Sequence, residues 1–240
     1  SIDVAEYVAS QMTGKKAGIG ITLDTRSKGD PVRGGEVTHL GKQPLYKSIE
    51  AAVKKYTQVT RGGSATMTFK CIDPELENML IWKTQKCSLA TRVDKIDYNF
   101  AYNDAHTKVK ALDIVRLFGG SRGETGRLYC INLTTTNYHT PFIDTINQSN
   151  LCLEIALPTK PFPTMKDLES VKSEGEVAFC SIAAVNVANV EDHEVFAVYE
   201  RALRTVDRMI ECAPMMTPSM QESLLRRRSV GIGITGLASK

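Results

Sequence analysis

The sequence contains no apolar run approaching the eighteen or so residues of a membrane-spanning helix, and its N-terminus lacks the basic, apolar and small-residue order of a secretory leader. These absences make the cytoplasm the expected location, or the host cytoplasm for a viral source, with no membrane partner. Charge of one sign is also scarce. The 30 Lys and Arg stand against 27 Asp and Glu, and a net charge of +3 is too small to argue for a nucleic-acid surface. Six cysteines lie at 71, 87, 130, 152, 180 and 212 without a C-x-x-C pair or a histidine at ligand spacing, so no metal site is expected. A secreted disulfide framework does not suit 240 residues without a leader. No internal repeat, low-complexity stretch or domain boundary interrupts the chain, which reads as one soluble domain over 1–240.

The most informative pattern lies in Gln148 to Pro158, where Asn150, Cys152 and Glu154 stand at alternate positions. In a strand, side chains two apart share a face, so a carboxamide, a thiol and a carboxylate would point one way and Leu151, Leu153 and Ile155 the other. Successive members of the row would be about 6.6 Å apart, a spacing that suits a sugar. A carboxylate takes a hydroxyl proton, an amide both donates to and accepts from hydroxyls, and a thiol gives up a hydrogen atom or acts as nucleophile. A half-buried strand with a structural cysteine is the alternative reading of the same row.

Elsewhere the periodicity predicts a helix over 2–12, a strand over 17–23 whose glycines allow close approach, a helix over 44–59 and a strand over 65–69. Asp73, Pro74 and Glu75 read as N-cap, first helical residue and acidic first turn of a helix to about 84. A strand over 92–102, a helix over 107–118 and a strand over 128–132 precede a polar loop over 133–147. Beyond a proline-bearing loop over 158–174, a strand is expected over 176–183, then helices over 194–212 and 218–228. The strand-then-helix order favours a largely parallel α/β architecture. Two Arg-Gly-Gly triplets, at 33–35 and 61–63, combine a phosphate-gripping guanidinium with glycines that let backbone N–H groups approach an anion, a pattern that surface turns also produce. Cys71, Cys87 and Cys212 read as structural or surface thiols, Cys130 as a packing residue with approach to the site from a neighbouring strand as its alternative, and the four histidines as surface residues.

Gln148 to Pro158 closely resembles the active-site strand of the large (α) subunit of class I ribonucleotide reductases. Ala17–Ile21, Pro31–Glu36, Arg61–Thr66, Glu176–Ser181 and Val230–Thr235 resemble further segments of that family, in the same order. The resemblance implies part of a ten-stranded α/β barrel that reduces the 2′ carbon of ribonucleoside diphosphates. By that resemblance Cys152 becomes a thiyl radical that abstracts the 3′ hydrogen, Glu154 accepts the 3′-hydroxyl proton, Asn150 holds the hydroxyls, and Cys180 is one of two reducing thiols. The barrel walls would partly desolvate Glu154 and raise its proton affinity. Ala17, Gly18, Arg61 and Gly62 look like substrate-contacting positions, and Arg26, Arg33 and Gln58 like positions binding a deoxynucleoside triphosphate or ATP effector. The resemblance further implies that no cofactor is held directly, that the radical comes from a metal-containing β subunit, that the α subunit forms a homodimer, and that thioredoxin or glutaredoxin returns the reducing equivalents.

Against that family the chain is short. It opens at Ser1 without an initiator Met, and the segment carrying the second active-site thiol would lie upstream. The phosphate loop, the tyrosine pair and the C-terminal shuttle cysteines would lie beyond Lys240. A long helical stretch of the family is replaced by little more than Asn103 to His106. The expectation is a piece of a longer subunit, inactive alone. Its alternatives are a non-catalytic nucleotide-binding or subunit-interaction fragment and, less favoured, a cobalamin-dependent or glycyl-radical reductase.

Overall fold

Alternation of side chains decides which way the strands face. The computed structural model describes residues 1–57, 62–83, 93, 97–102 and 111–240, in two compact units, Ser1–Pro158 and Thr159–Lys240. The first holds helix α1 (Ile2–Gly14), strand β1 (Gly18–Thr22), a hairpin of β2 (Pro31–Val32) and β3 (Val37–Thr38), and α2 (Gln43–Lys54). It continues through β4 (Ser64–Lys70), α3 (Leu76–Trp82), β5 (Asp97–Tyr102), α4 (Ala111–Thr125), β6 (Leu128–Asn132) and α5 (Leu133–Tyr138). Strands β1, β4, β5 and β6 form one parallel sheet in that order.

In this register Ile19 and Ile21, Met67 and Phe69, Tyr98 and Phe100, and Leu128 fall on one face, where Tyr46, Ile49, Val53, Met79 and Leu80 cover them. The aromatic rings meet edge-on, Phe69 with Tyr98 at 5.8 Å and Tyr46 with Tyr98 at 5.7 Å between centroids. The opposite face carries Gly18, Gly20 and Thr22, Ser64, Thr66 and Thr68, Asp97 and Asn99, and Tyr129. One face is therefore a hydrophobic core, and the other is small and polar.

Burial, with the carboxylates of Asp73 and Glu75 close by, pushes the Tyr46 hydroxyl above the tyrosine value of 10.0. The folded chain keeps this proton where the unfolded chain releases it, so at alkaline pH the unfolded state binds fewer protons and is favoured. The denaturation midpoint should hold steady up to about pH 9 and fall as pH rises through about 10. Tyr46→Phe should flatten that decline, and an unchanged slope in this variant would contradict the assignment.

The second unit holds a short helix α6 (Met165–Leu168), strand β7 (Ser181–Asn186), helices α7 (Val195–Cys212) and α8 (Pro218–Arg227), and strand β8 (Val230–Thr235). β7 and β8 pair in parallel from Ser181↔Val230 to Asn186↔Thr235, and α7 packs on both. The α/β class and the parallel pairing agree with the sequence. Several boundaries do not. Helix α4 runs past Gly119, Gly120 and Gly123 to Thr125 and stops at Gly126, which takes the left-handed φ of 64° and donates its N–H to Arg122 O at 2.8 Å. The polar stretch expected as loop from 133 opens instead with α5, capped by Asn132 Oδ1 accepting from Thr135 N.

Candidate functional site

The row Asn150, Cys152, Glu154 is not on a strand. The chain turns at Leu151–Leu153, Leu153 takes a left-handed φ of 71°, and no ladder forms between 148 and 158. The cause lies in the polar side chains. Asn150 Oδ1 accepts from Ile155 N at 3.0 Å and Ser149 Oγ donates to Ile155 O at 2.5 Å, while Leu153 N donates to Asn150 O at 3.4 Å. Side chains thus satisfy the backbone groups that a neighbouring strand would have paired, and an Asn-closed turn outcompetes extension. The alternation survives only as exposure: Cys152 and Glu154 are exposed while Leu151, Leu153 and Ile155 are partly covered.

The turn is seated on the small, polar face of the four-stranded sheet. Thr66 Oγ1 donates to Leu151 O at 2.7 Å. A Cβ on Gly20 would lie 1.8 Å from Ser149 O, and one on Gly18 would lie 2.3 Å from Leu151 Cδ2. Only hydrogen at these two positions lets the turn approach so closely. Upstream, Asn137 of α5 grips Ile146 through both backbone groups, Nδ2 donating to Ile146 O at 2.9 Å and Oδ1 accepting from its N–H at 2.8 Å. Burial holds the Tyr129 hydroxyl above its ordinary range, and the nearby charge of Asp97 adds to the shift.

Asn150 therefore spends its carbonyl oxygen inside the turn. Glu154 is exposed, so the expected desolvation is not supplied by its surroundings here. Gly18 supports the turn, with Ala17 just ahead of it at the end of the α1–β1 connection. Gly62 is exposed beside β4, while Gln58 and Arg61 lie outside the described residues, as do Cys87 and His106. Cys180 lies in the second unit, exposed and just before β7. The strand expected from 176 starts only at Ser181, because Glu176 instead forms an isolated antiparallel bridge with Lys160. Cys71 is buried; Cys130 and Cys212 are exposed, and partial burial raises the Cys130 pKa.

Arg26 and Arg33 sit on the excursion between β1 and α2. Both are exposed, Arg26 Nη1 donates to Pro31 O at 3.1 Å, and Arg33 opens a turn at positive φ with Gly34 and Gly35. Buried Glu75 closes the neck of this excursion: Oε1 accepts from Lys28 N at 2.9 Å and from Lys42 N at 3.1 Å. Asp73 serves two partners: Oδ1 accepts from Glu75 N at 3.0 Å, as expected of a cap, while Oδ2 pairs with Lys42 Nζ at 2.5 Å, and α3 itself begins at Leu76. Sequence periodicity could not reveal Thr66 or Glu75 as supports, because their partners are distant in the chain.

The family model for the ribonucleotide reductase barrel domain matches residues 1–105 and 97–240. The chain belongs to that family. Among ribonucleoside-diphosphate reductase α subunits it is 30% identical to that of Haemophilus influenzae over 291 aligned positions, covering 99% of this chain and 38% of the relative. It is 27% identical to the subunit of Enterobacteria phage T4, covering 100% and 37%, and 33% identical to that of Escherichia coli over 67% of this chain and 28% of the relative. The class Id ribonucleotide reductase α subunit of Actinobacillus ureae has the same fold, with TM-score 0.72, 19% identity, 97% of this chain covered and 43% of that one. The chain thus spans well under half the length of these ribonucleotide reductase subunits. An alignment of 291 positions against 240 residues means that the relative carries additional residues inside the matched span, and the two-part family match meets at 97–105, beside the shortened stretch at Asn103 to His106. No described helix is long and apolar enough to cross a membrane.

Proposed function

We propose that this chain supplies the radical-bearing turn and one reducing thiol of a ribonucleoside-diphosphate reductase α subunit. The observation that carries the reading is the Asn150–Glu154 turn on the glycine and threonine face of a reductase-family sheet, presenting Cys152 and Glu154 outward from a fixed backbone. In this role Cys152 is the thiyl radical that removes the 3′ hydrogen of the ribose. Glu154 takes the 3′-hydroxyl proton, the Asn150 amide nitrogen donates to the sugar hydroxyls, and Cys180 with a second thiol supplies the electrons that reduce the 2′ carbon. The radical originates on a metal-containing β subunit, and thioredoxin or glutaredoxin restores the dithiol. Arg26 and Arg33, held on the neck that Glu75 closes, bind the triphosphate of a deoxynucleotide or ATP effector with Gln58. Ala17, Gly18, Arg61 and Gly62 line the substrate side, and the subunit pairs with a second copy in the cytoplasm.

The role of Glu154 has a direct test in the assembled reductase. Glu154→Gln keeps size and hydrogen bonding but cannot take a proton, so kcat should fall by about 10²-fold or more while nucleoside diphosphate binding stays near the parent value. An unchanged kcat removes Glu154 as base. Nucleotide binding without turnover in the parent assembly favours a binding-only role.

A further inference from the structure

We propose that Glu176, clamped by Arg226 and Arg227, is a positioning residue for the Cys180 thiol. The Glu176 side chain is 0% exposed. The Arg227 guanidinium grips it through Nε to Oε1 and through Nη2 to Oε2 at 2.9 Å, and Arg226 Nη2 stands 3.1 Å from Oε2. A buried carboxylate held by a two-point guanidinium fork has little freedom to shift, because any displacement breaks charge-assisted bonds at oxygens that water does not reach. The backbone of Glu176 is fixed as well. Its N–H donates to Lys160 O at 2.9 Å and its carbonyl accepts from Lys160 N at 3.1 Å. Phe162 lies so close to Gly175 that a Cβ there would meet its ring carbon at 2.3 Å.

Cys180 lies four residues beyond this anchor, a reach of about 13 Å if extended, and one residue before β7 begins its pairing with β8. The intervening segment has no regular secondary structure, and Val177 N donates to Ser223 Oγ at 3.3 Å on the same helix, α8, that carries Arg226 and Arg227. The thiol is therefore slung between two fixed points, the ion-paired end of α8 and the first rung of a parallel ladder. Such suspension matters for a thiol that must repeatedly form and release a disulfide. The bond tolerates only a narrow Cα separation, of about 4.4–6.8 Å, so a drifting backbone lowers the effective concentration of one sulfur at the other. Glu176 touches neither sulfur nor substrate and acts through the segment it holds.

The inference rests on the redox reading of Cys180, and its test is chosen to be independent of turnover. In the full chain, Glu176→Gln and Arg227→Lys are compared with Arg204→Ala, which removes only an exposed pair with Glu200. Alkylation of each cysteine by iodoacetamide is followed by peptide mass spectrometry, beside amide exchange of 177–180. Glu176→Gln should speed Cys180 alkylation and raise exchange of that segment, the latter by about tenfold or more, with Cys212 of the same unit unchanged. Arg227→Lys, which replaces a fork by a point charge, should do the same to a smaller degree. Joint acceleration of Cys180 and Cys212 would reduce Glu176 to general support and overturn the proposal, as would unchanged Cys180. Where Glu176→Gln does not fold, Arg227→Lys decides by the same criterion. Cys180→Ser in the assembled reductase tests the redox reading separately: retained turnover removes that reading and leaves the alkylation result standing.

Discussion

Gly20→Val is expected to unseat the Cys152 turn. The first atom of any side chain at this position would stand 1.8 Å from the carbonyl oxygen of Ser149, far inside contact distance, and the obstructing atom is backbone that no rotamer change can move. Either β1 shifts away from β4 or the turn lifts off, and the second course breaks the bond from Thr66 Oγ1 to Leu151 O. Overpacking costs about 1–3 kcal/mol and a lost buried hydrogen bond about 1 more, so the first unit should lose about 3 kcal/mol. Turnover of an assembled reductase should vanish with it. Gly119→Ala is the informative control. It stands in helix α4 with nothing within 4 Å of its added carbon, and should stabilise the chain by about 0.5–1 kcal/mol. A Gly20→Val chain as stable as its parent, with full turnover, would refute the seating.

Asp73→Ala is expected to cost about as much, for a different reason. Lys42 Nζ and Asp73 Oδ2 meet at 2.5 Å with side-chain exposures of 7% and 9%, and the only other partner of the ammonium among the described residues is Ser27 Oγ at 3.3 Å. Removing the carboxylate leaves a buried cation uncompensated, at about 3 kcal/mol. The neck of the Arg26 and Arg33 excursion should loosen too, because Lys42 is one of the two residues that Glu75 ties. Trypsin should then cut at Arg33 sooner than in the parent. By contrast, loss of the exposed Arg204–Glu200 pair should cost no more than about 0.5 kcal/mol. Equal stability losses in the two variants would show that the Lys42 pair is solvated rather than buried.

The parallel sheet was legible because apolar and small residues alternate along β1 and β4, and because Leu45, Ile49, Val53 and Tyr56 recur at helical spacing, although Ile49 and Val53 are buried with Tyr46 while Tyr56 is exposed. The candidate site residues rest on resemblance. Their geometry was not. Alternation of Asn150, Cys152 and Glu154 fits a strand equally well, and what decides for a turn is the side-chain capture of Ile155 by Ser149 and Asn150, together with a left-handed Leu153 that no composition rule favours. Asp73 shows the same limit. Its sequence context is that of a helix cap, and Oδ1 does accept from Glu75 N, but the lysine 31 residues earlier that takes the other oxygen leaves no trace in the local pattern.

The central claim is that the Asn150–Glu154 turn exists to hold the sulfur of Cys152 for hydrogen-atom chemistry. Cys152→Ser tests it most directly, since a hydroxyl preserves the size of the side chain and leaves every hydrogen bond of the turn in place, but holds its hydrogen too strongly to become the radical. Measured in the assembled reductase, the variant should bind nucleoside diphosphate as the parent does and form no deoxynucleotide. Deoxynucleotide formation at the parent rate would contradict the account.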